Sequence, residues 1–338
     1  MSAPRHVLVT GGAGFIGSEL VQQLAATDRV RVVDNLVNGR AANIADLPAD
    51  RVELVVADIR DEAAMRRAVD GIDVVFHLAC LGVRHSIHSP RENHEVNATG
   101  TLLLLQLARA AGVRRFVYVS SSEVYGTARW VPMTEEHPAF PTTVYGASKL
   151  AGECYARAFH RSYGFPSVVV RPFNTYGPRC HHEGDSGEVI PKFLLRCLAG
   201  LPMVVFGDGT QTRDFTYVSD TARGIARAAE VDAAIGDTIN VGSGAELTIN
   251  ALAEEVARVT GHPGARVVHE DPRPGDVLRL DADASKASSL LGFAPTITLA
   301  DGLAKLKRWY DDSGRSPAEL LEHEIVRNWE PAGRAVRG

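Results

Sequence analysis

The sequence predicts an α/β fold, a doubly wound parallel sheet with a smaller, interleaved C-terminal α+β lobe. Three observations carry this. Short apolar runs alternate with stretches of helical periodicity from His6 to Arg171, the order that lays strands side by side with helices across both faces. The first run is followed at once by Gly11, Gly14 and Gly17, which open a helix. Beyond Arg171 the alternation gives way to shorter strands, polar loops and helices in irregular order. The 338 residues suit one large α/β domain or two closely packed ones.

Residues 6–10 form the first strand, and the helix after the glycines runs through Leu20, Val21 and Leu24. Gly11 permits the tight turn. Gly14 lets backbone approach a pyrophosphate at the helix N-terminus, where N–H groups and the dipole favour anions. Gly17 lets helix and strand pack closely. This is the Rossmann-type arrangement. Residues 30–34 form the second strand, and Asp34 ends it about twenty residues past the glycines, where a carboxylate accepts from ribose hydroxyls. It would repel a 2′-phosphate, so NAD is expected rather than NADP. Arg40 is a counter-signal, since an arginine there can neutralise such a phosphate. Residues 52–59 form the third strand, and its Asp58 either accepts from the adenine amine or caps the next helix, 61–69.

A fourth strand at 73–78 precedes a long helix over 90–111, bounded by Pro90 and Gly112. The fifth strand, 116–120, delivers Ser121, Ser122 and Glu123 at its C-terminal end, the edge where open α/β sheets bind ligands. After a proline-rich loop, 127–143, a helix carries Tyr145 and Lys149 at i and i+4, on one face. A fixed ammonium beside a phenol lowers its pKa. A phenolate near neutral pH can take a proton from a sugar hydroxyl while a hydride leaves the same carbon. By itself this spacing also occurs on solvated helix faces. The sixth strand spans 167–171.

The remainder reads as loop at 172–179, a polar stretch at 181–187 and a helix at 189–199. Strands at 203–206, 238–241 and 267–270 follow, with helices at 218–230, 249–259, 299–310 and one ending at Gly292. The expected division is an NAD-binding domain at 1–171, a mainly substrate-binding lobe at 172–312, and a charged C-terminal tail at 313–338 that includes a helix over 317–327. Net charge is −5 with acids and bases well mixed, so no nucleic-acid partner is expected. Cys80, Cys154, Cys180 and Cys197 form no C-x-x-C pair, which argues against a metal site or disulfides and for a reducing compartment. No apolar run has membrane-spanning length and no signal peptide is seen, so the cytoplasm is the expected location.

Taken together, Thr10–Gly17, Asp34-Asn35-Leu36, Ala57-Asp58-Ile59, His77-Leu78-Ala79 and Asn97–Thr101 resemble the extended short-chain dehydrogenase/reductase family. So do Ser120–Gly126, Tyr145 with Lys149, Arg171–Pro178, Gly207–Phe215 and Arg273–Val277. Within that family the resemblance is to nucleotide-sugar epimerases, dehydratases and decarboxylases. It implies that Tyr145 is the general base, that Lys149 holds the nicotinamide ribose and lowers the Tyr145 pKa, and that Ser121 completes the triad, with Glu123 also in the catalytic centre. It implies cofactor contacts from Gly11, Gly14, Phe15, Ile16, Gly17, Asp34, Asn35, Arg40, Asp58, Ile59, Leu78, Ala79 and Pro172. Substrate contacts are implied for Arg84, Ser86, Ser122, Asn174, Arg179, Val189, Arg213 and Arg273, the last two arginines suiting a diphosphate through their planar forks. His77 reads as a packed strand-end residue, and Cys80 as packing.

The first step expected is oxidation of a sugar at C4. Epimerisation then needs only rotation of the keto sugar. Dehydration needs an acid, and where dehydratases have an Asp-Glu pair this chain has Ser122-Glu123. Decarboxylation of a 6-carboxylate needs no acid, and Ser122–Gly126 does resemble decarboxylases, while 82–86 looks more like epimerases. The expectation is a 4-epimerase acting on a UDP-sugar, with decarboxylase and dehydratase as alternatives and a non-catalytic NAD sensor as the contrasting class. Arg179, together with Arg84, either faces the sugar's C6 end and selects UDP-glucuronate or belongs to a solvated loop at 181–187, whose acids are Glu183 and Asp185. A homodimer is expected through the helices at 90–111 and 143–161, where Leu102 to Leu105 offer surplus apolar surface.

Overall fold

The computed structural model describes residues 4–184, 186–273, 276–327 and 329. The first half runs β1 (His6–Thr10), α1 (Phe15–Leu24), β2 (Arg29–Asp34), β3 (Val52–Val56), α2 (Glu62–Ala68), β4 (Val74–His77) and α3 (Val83–His88). Next come α4 (Pro90–His94), a π-helical turn (Glu95–Gly100), α5 (Thr101–Ala110), β5 (Arg115–Val119), α6 (Val144–Tyr163) and β6 (Ser167–Pro172). The second half runs β7 (Asn174–Tyr176), α7 (Val189–Leu198), β8 (Met203–Phe206), β9 (Thr212–Tyr217), α8 (Val218–Glu230), β10 (Thr238–Val241) and β11 (Glu246–Thr248). It ends with α9 (Ile249–Thr260), β12 (Val267–Glu270), α10 (Ser285–Leu291), α11 (Leu299–Asp312) and α12 (Pro317–Leu320).

Seven strands form the central sheet in the order β10-β6-β5-β4-β1-β2-β3, and all its pairings are parallel. The order reverses between β1 and β4, so the chain diverges there and leaves a crevice at the strands' carboxyl ends. Central strands of such a sheet are covered on both faces, which is why Val7, Leu8 and Val9 are all fully buried. One face packs on α1, α8 and α10, the other on α2, α5 and α6. A third cluster, built on Phe193, Leu194, Leu252, Leu303 and Leu306, forms the core of the second lobe. That lobe holds the small sheets β11-β9-β7 and β12-β8.

The structure places β7 inside the stretch read as loop at 172–179, adds α3, β9 and β11, and differs from the sequence reading in three further elements. Residues 238–241, read as part of the second lobe, pair parallel with β6 and form the edge of the central sheet. Their apolar side chains, Ile239 and Val241, find their burial on the α1/α8 side. The helix read over 90–111 is interrupted by its π turn. The helix read over 317–327 starts at a Ser316/Glu319 capping box and already stops at Leu320, and the chain beyond it folds back on the body. Residues 330–338 of the tail lie outside the described residues, as does Asp185. No helix among the described residues is long and apolar enough to cross a membrane.

Candidate active site

A cleft of about 560 Å³ starts at the β1/β4 crevice and continues between the lobes. Its first arm is the glycine turn. Gly11 has φ +72°, and a Cβ there would stand 2.7 Å from the Ala79 amide nitrogen. A Cβ on Gly17 would stand 2.1 Å from the Gly11 carbonyl oxygen. α1 therefore begins hard against β1, with no side-chain cap, and Gly14, Phe15, Ile16 and Gly17 line the cleft with its first turn. At the tip of β2 the Asp34 carboxylate accepts from the Ala13 amide at 3.0 Å and the Leu36 amide at 2.9 Å. Two of its roughly four lone-pair positions remain for a ligand's hydroxyls. Asn35, Ile59, Leu78, Ala79 and Pro172 line the same arm.

Asp58 also lines it, but takes a fork from Arg60 at 2.9 and 2.7 Å, which holds its carboxyl down at about 2. Asp61, not Asp58, caps α2 through the Ala64 amide. Arg40 lies outside the lining. Its guanidinium reaches Glu183 at 3.3 Å, so it is not placed to meet a 2′-phosphate.

The centre of the cleft is set by α6. Thr143 caps it through the Gly146 amide, and Gly164 ends it in the left-handed conformation. α6 lies close on β5 because Gly152 faces the Tyr118 ring and Gly146 faces the Glu123 carbonyl. This brings Tyr145 and Lys149 beside Ser121, the N-cap of the short turn at 122–124. Lys149 is buried and donates to the Val119 carbonyl at 2.6 Å, with its ammonium 4.7 Å above the Tyr118 ring. Burial pulls the Lys149 pKa down and pushes the Tyr145 phenol well above its ordinary value, against the opposing hydrogen bond of Ser121. Burial dominates at the phenol, and the Lys149 ammonium is directed at the Val119 carbonyl. Cys80 also lies beside the phenol, so it borders the site rather than only packing. His77 is buried between the hydroxyls of Thr10 and Thr101 at 2.7 and 2.8 Å, and burial takes its pKa down to about 3.

The π turn supports this centre. Asn97 holds the loop after β4, with its Oδ1 accepting from the Leu81 amide at 2.8 Å and its Nδ2 donating to the Leu81 carbonyl at 2.9 Å. The same Nδ2 donates to Ser148 on α6 at 3.1 Å. Such turns gather at functional sites.

In the second arm Arg84, Ser122, Glu123, Asn174, Val189, Arg213 and Arg273 line the cleft together. Asn174 Oδ1 is buried and accepts no hydrogen bond from the described residues. Arg213 and Arg273 both hold Asp276 Oδ1, at 2.6 and 2.5 Å. Burial raises the Glu123 carboxyl, with Arg213, Arg273 and Arg84 acting against it. Two expected residues are elsewhere. The Ser86 hydroxyl donates to the Val83 carbonyl at 2.6 Å within α3. Arg179, at φ +69°, turns to Glu19 on α1 at 2.5 Å and lies outside the lining. The sequence reading missed Glu188, raised by burial to about 7, and Lys192, lowered to about 8. It also missed Glu324, Val326 and Trp329 from the tail. Only the one-turn spacing of Glu188 and Lys192 on a cleft-side helix could have signalled any of these.

Residues 7–242 match the model of the NAD dependent epimerase/dehydratase family. The chain belongs to this family. It is 38% identical over 310 residues to the UDP-glucose 4-epimerase of Mycolicibacterium smegmatis, covering 90% of this chain and 98% of that one. Among solved structures it resembles the UDP-glucose 4-epimerase of Thermotoga maritima with UDP-glucose (TM-score 0.86, 33% identity, 92% of this chain and 100% of that one). It equally resembles the dTDP-glucose 4,6-dehydratase DesIV of Streptomyces venezuelae, solved with NAD bound (TM-score 0.85, 38% identity, 91% and 97%). The protein is an NAD-dependent enzyme of nucleotide sugars, and the glycine turn, the bare α1 N-terminus and the free acceptor positions of Asp34 fit NAD.

Proposed function

We propose that this family member is a nucleotide-sugar 4-epimerase acting on a UDP-hexose. In this reading Gly11 to Gly17, Asp34, Asn35, Asp58, Ile59 and Lys149 hold NAD, whose oxidised form supplies the hydride acceptor and a positive charge that favours the phenolate. Tyr145 takes the proton from the sugar O4 as C4 becomes a ketone, and Ser121 orients both oxygens. After the keto sugar turns in the cleft, Tyr145 returns the proton as C4 is reduced on its other face. Arg213 and Arg273 bind the diphosphate, exchanging part of their hold on Asp276 for phosphate oxygens.

The observation that carries epimerase over dehydratase is Ser122. It is buried in the cleft wall where dehydration would need an acid, and a serine hydroxyl cannot act as one near pH 7. A second reading, dehydration, draws on Glu188, whose pKa of about 7 would let it donate a proton. A 6-carboxylate substrate such as UDP-glucuronate, turned over by epimerisation or decarboxylation, loses the support of Arg179 and keeps only Arg84. Glu188 stands near Arg84 and competes with a 6-carboxylate for it, so a neutral sugar is favoured. A homodimer through α5 and α6 is part of the proposal, since Leu102, Leu103 and Tyr155 are left half-buried while Leu104 and Leu105 are taken up by the core.

The test is NMR product analysis with kcat/KM for UDP-glucose, UDP-N-acetylglucosamine and UDP-glucuronate. C4 epimers without net NADH support the proposal. A 4-keto-6-deoxy product would make the enzyme a dehydratase, a UDP-pentose a decarboxylase, and binding without turnover a sensor.

A further inference from the structure

The tail beyond α12 does not leave the molecule. The Gly184 amide donates to the His323 carbonyl at 2.9 Å, Lys192 Nζ donates to the Ile325 carbonyl at 2.6 Å, and Arg196 pairs with Glu324 at 2.7 Å. Arg327 pairs with Glu270 at the end of β12, at 2.9 Å. These bonds strap residues 323–327 along α7 and bring Trp329 onto Phe206, with ring centroids 4.5 Å apart and planes at 86°. Both rings line the cleft and are only half-buried, and Val326 and Ile249 line it with them. The result is an apolar corner of two perpendicular aromatic rings.

Its place in the cleft decides what it takes. Phe206 is the register partner of Glu270, and Arg273 follows three residues later. Arg273 and Arg213 also act on Glu123, beside Tyr145. The arginine pair therefore stands between the Tyr145 centre and the aromatic corner. In a sugar linked through a diphosphate to a nucleoside, the base is on the far side of the diphosphate from the sugar. With the sugar at Tyr145 and the diphosphate at the arginines, a flat heteroaromatic ring arrives at Phe206 and Trp329.

We infer that residues 323–327 and Trp329 form the outer wall of the nucleoside subsite, with the nucleobase stacking on the Trp329 ring. This rests on the nucleotide-sugar reading above. A wall supplied by the segment after α12 makes base affinity a property of residues far in sequence from every catalytic group.

The full-length, NAD-bound enzyme is titrated calorimetrically with UDP, dTDP and inorganic pyrophosphate. Trp329→Ala is expected to raise the Kd of UDP about tenfold while pyrophosphate, which has no base to stack, binds as before. Trp329→Phe keeps an aromatic face and should stay within about threefold of wild type. Unchanged UDP affinity in Trp329→Ala would overturn the inference. So would an equal loss for UDP and pyrophosphate, which marks general loosening of the strap. If the wild-type enzyme binds neither UDP nor dTDP, the nucleotide-sugar reading itself falls and takes this subsite with it.

Discussion

Replacing Gly152 with alanine tests whether the close approach of α6 to β5 is what positions the catalytic pair. A Cβ at this position would stand 2.2 Å from the Tyr118 Oη and 2.4 Å from its Cζ. Tyr118 has nowhere to retreat, since it is fully buried, donates to the Lys149 carbonyl at 3.2 Å and packs its ring 5.7 Å from that of His77. Normal contact needs more than 3 Å, so α6 must move outward by about 1 Å. Two effects oppose each other. Alanine gains about 1 kcal/mol over glycine inside a helix, and overpacking a filled core costs about 1–3 kcal/mol. The clash is with the rigid end of a buried ring, so the upper part of that range applies and the variant loses about 1–2 kcal/mol net. Tyr145 and Lys149 ride on the displaced helix, and a misplacement of about 1 Å lowers kcat about a hundredfold. Thermal melting followed by circular dichroism, with kcat on the preferred nucleotide sugar, measures both. A Gly152→Ala enzyme with a raised melting temperature and wild-type kcat would refute the reasoning, because helix propensity would have won and the approach would position nothing. Tyr118→Phe in the same background should restore only part of the loss, since Cζ remains in the way.

Three further outcomes are expected. Tyr145→Phe should reduce turnover to below about a tenth of wild type, at least about 1.4 kcal/mol of barrier, while UDP affinity by calorimetry holds; a faster variant removes Tyr145 from the proton transfer. Glu188 keeps its proton up to about pH 7 in the folded protein but loses it near 4.5 when unfolded, so the folded state binds more protons and stability falls as pH rises through that window. Glu188→Gln escapes this and should gain on the order of 3 kcal/mol over wild type at pH 8 but little at pH 5, measured by urea midpoints; equal gains at both pH values would contradict it. Light scattering at micromolar concentration should give twice the chain mass, and a monomer would refute the pairing proposed from the half-buried Leu102 and Leu103.

What was legible in the sequence was what local chemistry dictates. The glycine turn, the acid ending β2 and the i, i+4 pair on α6 each depend on neighbours a few residues away, and the structure brings them to one cleft. What escaped depends on partners distant along the chain. Arg179 follows Tyr176-Gly177-Pro178 and looks aimed at the sugar, yet its fate is decided by Glu19, far back on α1. The apolar run at 238–241 carries no mark of which sheet it joins; the open edge of β6 decides that. Glu188 is an ordinary helix N-cap by sequence, and its raised pKa comes from enclosure by the fold. The tail reads by sequence only as charged, and two of those charges, Glu324 and Arg327, pair with Arg196 and Glu270.

The π turn at Glu95–Gly100 sets local regularity against function. One residue removed from this stretch would let α4 and α5 join as an unbroken α-helix with better hydrogen-bond geometry. The same deletion turns everything before it by about 100° relative to α5 and swings Asn97 away from Leu81 and Ser148. The shortened chain would fold into a more regular helix around a looser site, so a search for stabilising deletions would select here against the enzyme's own chemistry.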